Sequence, residues 1–139
     1  MKNIFKFDQI TFVAILFFCF ISCEKSSETK IDPNTEASNK IIGSWKSYKV
    51  LENSTDITNK SSGSFIFKTE KTFTGDAVEN GIFFPVNGTW EVSNNGNTLN
   101  LVSNLSGSVN YTIVSLIEKE LVLQYQINSF TRIAYFNKI

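Results

Sequence analysis

The sequence predicts an all-β domain, an antiparallel up-and-down eight-stranded barrel that follows an N-terminal signal segment and a flexible tether. Three observations predict it. From Ile41 to Ile139 apolar residues alternate over short runs, and no window sustains a helical period. Clusters of Gly, Asn, Ser and Thr separate the runs by hairpin lengths, so neighbours in sequence are expected to pair antiparallel. Seven or eight such strands leave two exposed edges unless the sheet closes, and a barrel removes both. A sandwich of the same strands is the rival arrangement.

Residues 1–22 read as an address rather than a fold element. Lys2 and Lys6 precede an almost wholly apolar run from Ile10 to Ile21, broken only by Thr11. That length suits a secretory apolar segment and falls short of the ~20 residues a spanning helix needs. The run ends Phe20-Ile21-Ser22-Cys23, which resembles a bacterial lipobox: a small residue, then a cysteine that is acylated after cleavage. The resemblance implies lipid on Cys23. Residues 23–40 form the expected tether, because Glu24 to Asn39 has only Ile31 and Ala37 as apolar side chains and therefore little to bury.

The domain, residues 41–139, contains eight strand-like runs. The first is Ile42 to Leu51, with Trp45, Tyr48 and Val50; the second is Ser64 to Lys68, with Phe65 and Phe67 on one face. The third, Thr72 to Gly75, centres on Phe73 and is joined to the second through Thr69-Glu70-Lys71. The fourth, about Asn87 to Ser93, places Trp90 and Val92 on one face, and Asn94-Asn95-Gly96-Asn97 then gives a hairpin signal, since Asn and Gly tolerate positive φ. The fifth is Thr98 to Val102, the sixth Ser108 to Ser115, the seventh Leu121 to Ile127 and the eighth Phe130 to Phe136.

Two connections are long. Glu52 to Gly63 is a polar stretch, readable from its composition as a passive mobile loop. Asp76 to Val86 contains Gly81-Ile82-Phe83-Phe84-Pro85-Val86, readable as an extra edge strand folded on the core or as an exposed contact patch.

Composition excludes more chemistry than it suggests. There is no histidine, so the commonest general base and metal ligand is missing. Two cysteines make neither a four-thiolate zinc site nor a disulfide framework. Lys plus Arg and Asp plus Glu are 13 each, without the basic excess a nucleic-acid binder needs. Asp76 and Glu79 form a carboxylate pair only in a stretch read as a solvated loop. No enzyme, metal or cofactor is expected.

The aromatic residues are the informative set. An eight-stranded barrel is just wide enough for side chains to fill or for one small ligand to enter, and both stay open. The candidate ligand-lining residues are Trp45, Phe65, Phe67 and Phe73, together with Trp90, Tyr111, Tyr125 and Tyr135. Arg132, the single arginine, is expected to face solvent, with Ile133 and Tyr135 in the core, because the seventh run offers no inward acid to pair it.

Gly43-Ser44-Trp45 at the first strand, Phe65-Ile66-Phe67, Gly88-Thr89-Trp90 and Leu99-Asn100-Leu101 follow in the order found in small lipocalin-like domains of Bacteroidetes-type lipoproteins. The chain from Ile42 to Tyr125 resembles that family. The resemblance implies a calycin-like barrel with Glu52 to Gly63 as a lid over its open end, a lipid anchor in the cell envelope (at the outer membrane) and a non-enzymatic role. Within that role two readings remain: a binder of a small apolar or amphipathic ligand, or a filled barrel that contacts an envelope protein partner or inhibits a secreted enzyme.

Overall fold

The computed structural model describes residues 30–139. The signal segment, Cys23 and the first part of the expected tether lie outside the described residues. Ile31–Ile139 form one compact unit with its own core.

The unit begins with a helix, α1 (Pro33–Ile41), where the sequence reading placed a flexible tether. Local signals account for it. Asp32 caps the helix, its carboxylate accepting from the Thr35 N–H at 3.0 Å, and Pro33 occupies the first turn, where no N–H is needed. Few apolar residues suffice because α1 needs only one face: Ala37 and Ile41 are buried in the barrel core. Asn34 accepts from the Gly96 N–H at 2.8 Å, and the Lys71 ammonium donates to Ser38 at 2.9 Å. The helix closes one end of the barrel.

Nine strands follow: β1 (Gly43–Glu52), β2 (Thr55–Asp56), β3 (Ser61–Phe67), β4 (Thr72–Glu79), β5 (Ile82–Ser93), β6 (Thr98–Ser103), β7 (Gly107–Leu116), β8 (Glu120–Ile127) and β9 (Phe130–Lys138). β3 to β9 pair antiparallel in sequence order; β1 pairs with both β3 and β9, closing the barrel. β2 is a two-residue addition on the end of β1. The eight-stranded up-and-down barrel expected from the sequence is the observed fold.

The two long connections are shorter than expected. β2 and the start of β3 take up much of the stretch 52–63. The stretch 76–86 is a hairpin rather than a loop, with Glu79 paired to Ile82 across Asn80 and Gly81, both at positive φ. Asn-Gly is the strongest two-residue hairpin signal, and polar β4 residues beside apolar β5 residues masked it. Phe84 and Val86 lie opposite inward Ala77 and Gly75, whereas Ile82 and Phe83 stay about 60% exposed.

The closed end holds the tight core. Trp45 is wholly buried and Trp90 nearly so, as expected for both. The Trp45 indole donates to the Ile41 carbonyl at 2.6 Å, and the Lys138 ammonium stands 5.1 Å from the ring centre. The Trp90 indole donates to the Lys68 and Thr72 carbonyls, and its ring meets Phe67 edge-on at 5.7 Å. Each glycine two residues before a tryptophan has a steric reason. Gly43 turns the chain from α1 into β1 at φ 128°, and a Cβ on Gly88 would lie 1.9 Å from the Val102 carbonyl oxygen.

Candidate ligand site

The opposite end, ringed by the β1–β2, β4–β5, β6–β7 and β8–β9 turns, is more open. β7 and β8 pair only from Thr112–Gln124 to Leu116–Leu121, and β5 meets β6 only from Gly88 onward, so the walls part toward this end. Two lobes open there. One, of about 180 Å³, is lined by Val50, Phe65, Tyr111, Tyr125, Arg132 and Phe136 among others. The second, of about 200 Å³, lies among Phe73, Phe84, Val86, Leu101, Val109 and Tyr111. They share Phe65, Ala77 and Tyr111 as walls.

Of the eight candidate lining residues, Phe65, Phe73, Tyr111 and Tyr125 reach these lobes. Trp45, Phe67 and Trp90 belong to the packed core beneath. Tyr135 is a correction. It faces outward, packs on Tyr48 with ring centres 6.0 Å apart, and carries the Lys49 ammonium 5.6 Å from its centre.

Arg132 is the companion correction. Residues directly opposite across antiparallel strands share a face. Leu121, Leu123 and Tyr125 of β8 lie opposite Phe136, Ala134 and Arg132 of β9. The inward leucines therefore bring Arg132 inward and send Ile133 and Tyr135 out. Arg132 is 7% exposed. Its acids come from β1 and β4, not from the neighbouring β8. Nε donates to Glu52 at 2.7 Å, and the two terminal nitrogens donate to the two oxygens of Glu79 at 2.8 and 2.9 Å.

Glu52 faces the lumen because β1 contains a bulge. Ser47 pairs with Phe136 and Lys49 with Tyr135, leaving Tyr48 as an extra residue. Inward parity passes from Trp45 and Ser47 to Val50 and Glu52. A matching bulge at Val114 shifts β7. Simple alternation misses both bulges, and Glu52 with the first; Glu79 keeps the unbroken alternation of Phe73, Gly75 and Ala77, in a stretch whose sequence reads as a loop.

Charge and burial act on one another here. The bonds from Arg132 hold the Glu79 carboxyl below the usual carboxylate range against the opposing effect of burial, and the bonds to Glu79 hold the guanidinium proton more firmly. Burial pushes the Tyr111 hydroxyl up to about 12, with Tyr125 adding to it; burial also raises Tyr125, opposed by Arg132. The two rings lie 5.0 Å apart.

Both shifts predict pH dependence. Folded Glu79 binds its proton less tightly than the unfolded chain does, so its stabilisation is present above the ordinary carboxylate range and lost as pH falls through the lowered value. Melting temperature should drop on acidification, with a shallower drop in Glu79→Gln. Folded Tyr111 holds its proton more tightly, so its contribution is full below pH 10.0 and lost as pH rises toward about 12. Tyr111→Phe should flatten that alkaline limb. Equal slopes in variant and parent would contradict each assignment.

An eight-stranded up-and-down barrel closed between first and last strands, with Gly43-Ser44-Trp45 opening the first, is a lipocalin-like fold. No family model matches the chain, and no curated protein matches it. Solved structures similar to it include a lipocalin-like protein from Bacteroides uniformis, at 12% identity and TM-score 0.49, covering 72% of this chain and 99% of that one. Bovine odorant-binding protein in complex with undecanal is similar at 16% identity and TM-score 0.47, covering 84% of this chain and 77% of that one. The same bovine protein with a selenium-containing odorant gives 16% identity and TM-score 0.48, over 73% and 72%. Strand order and closure between β1 and β9 define the fold.

Proposed function

We propose that this chain binds a small hydrophobic or amphipathic molecule in the open half of its barrel, and that lipid on Cys23 tethers it to a membrane of a bacterial cell envelope. The aromatic-lined space at one end of a closed barrel carries the binding reading. Each lobe is comparable in volume to the ~150 Å³ cavity that accepts benzene in an engineered core, and the two adjoin at Phe65, Ala77 and Tyr111. The surroundings suit retention rather than turnover: the charged groups at the mouth are paired with one another, and the sequence has no histidine.

Mass spectrometry of the Ile31–Ile139 unit, purified without detergent, tests the reading. A small molecule that co-purifies under native conditions and is released on denaturation is expected. A mass equal to that of the bare chain, together with no saturable uptake of short-chain alcohols, would contradict it. The anchor rests on the apolar run, Ser22 before Cys23 and the polar sequence after it. Cys23→Ser should abolish acylation and move the protein out of the detergent phase. Unchanged partitioning and processing would refute lipidation at that residue.

A further inference from the structure

We propose that the chamber selects its ligand by charge, accepting an apolar-bodied amine and rejecting carboxylates. This deepens the binding reading above and rests on it.

A lone arginine inside a barrel would ordinarily invite an anion. Here it is already committed. The bidentate pair with Glu79 and the bond to Glu52 take three of the five guanidinium N–H donors, so an incoming carboxylate would meet a cation whose charge two carboxylates already balance. Two acids against one base leave the chamber mouth with a net charge of about −1 when all three are ionised. Among the described residues no lysine forms an ion pair with Glu52 or Glu79.

The surfaces fit an amine with a hydrocarbon body. Glu52 accepts from Arg132 through Oε2 alone, and the Glu79 side chain is 39% exposed, so both carboxylates retain capacity for a further donor. Tyr125 lies directly opposite Arg132 across β8 and β9 and packs on Tyr111, giving the same chamber aromatic faces that attract cations. Val50, Phe65, Ala134 and Phe136 supply an apolar floor for the chain of the ligand. A carboxylate would meet the same floor with repulsion at its head; an alcohol would meet neither attraction nor repulsion.

The test is a matched series, hexylamine, 1-hexanol and hexanoate, titrated calorimetrically into the Ile31–Ile139 unit at pH 7 and low salt. Hexylamine is expected to bind tightest and hexanoate weakest, with about a tenfold gap or more for opposite unit charges near a −1 centre. Raised salt should narrow the gap by screening, and Glu79→Gln, verified as folded by its melting curve, should narrow it further. The ranking in the parent protein needs no variant. Hexanoate binding as tightly as hexylamine would overturn charge selection and leave the binding reading intact. No saturable binding of any of the three would overturn both.

Discussion

Trp45→Ala should cost about 3–5 kcal/mol of folding free energy, which for a domain stabilised by ~5–15 kcal/mol leaves it marginal or unfolded. The ring is wholly buried at the closed end, and the surrounding residues are held by β1, β9 and α1 at once, so they cannot collapse into the void. A second loss adds to the cavity. The indole N–H satisfies the carbonyl of Ile41 at the C-terminus of α1, where carbonyls lack intrahelical partners. Removing the donor leaves that carbonyl without its partner as well as emptying the core. Trp45→Phe separates the two effects: it keeps most of the packing and drops the bond, which is worth ~1 kcal/mol. Urea denaturation of parent, Trp45→Phe and Trp45→Ala should give midpoints in that descending order. An unchanged Trp45→Ala midpoint would refute the core role.

Arg132→Leu should be the next most damaging change. It leaves Glu52 and Glu79 facing each other without their shared cation. Breaking a buried ion pair by removing one member costs ~3–5 kcal/mol, and the partial exposure of both carboxylates brings the expected loss to about 2–4. The signature is its pH dependence. The loss should be large at neutral pH and shrink in acid, where protonated carboxyls no longer repel. Glu79→Gln in the Arg132→Leu background should restore part of the stability, a coupling that independent sites would not show. Additive effects of the two substitutions would mean that the pair observed in the structure contributes nothing.

The strand order, the hairpin after Ser93 and the burial of both tryptophans were legible because each is written locally: Asn and Gly at the turn, and a large ring on an apolar alternation. The contents of the chamber were not, because they depend on register. A bulge at Tyr48 reverses which residues of β1 face inward, and no pattern in Ser47-Tyr48-Lys49 announces it. The face of β9 could be assigned only from what lies opposite on β8, so Arg132 and Tyr135 were exchanged between inside and outside. The acids that pair Arg132 come from strands 53 and 80 residues away in sequence, a distance across which alternation carries no information. The helix α1 was missed for another reason. Its composition is that of a tether, and only its docking on the closed end of the barrel gives Ala37 and Ile41 something to bury.

The proposed function divides the barrel into an open half that is a ligand chamber and a closed half that is packed solid. Amide chemical shifts of the Ile31–Ile139 unit, followed while 1-hexanol is added, test that division directly. Saturable shifts are expected at Val50, Phe65, Ala77, Tyr111 and Tyr125, which line the lobes, with little change at Leu99 and Leu121 near α1. Non-saturating shifts confined to exposed rim residues such as Ile82, Phe83 and Leu105 would contradict the chamber and leave a filled barrel with a greasy edge.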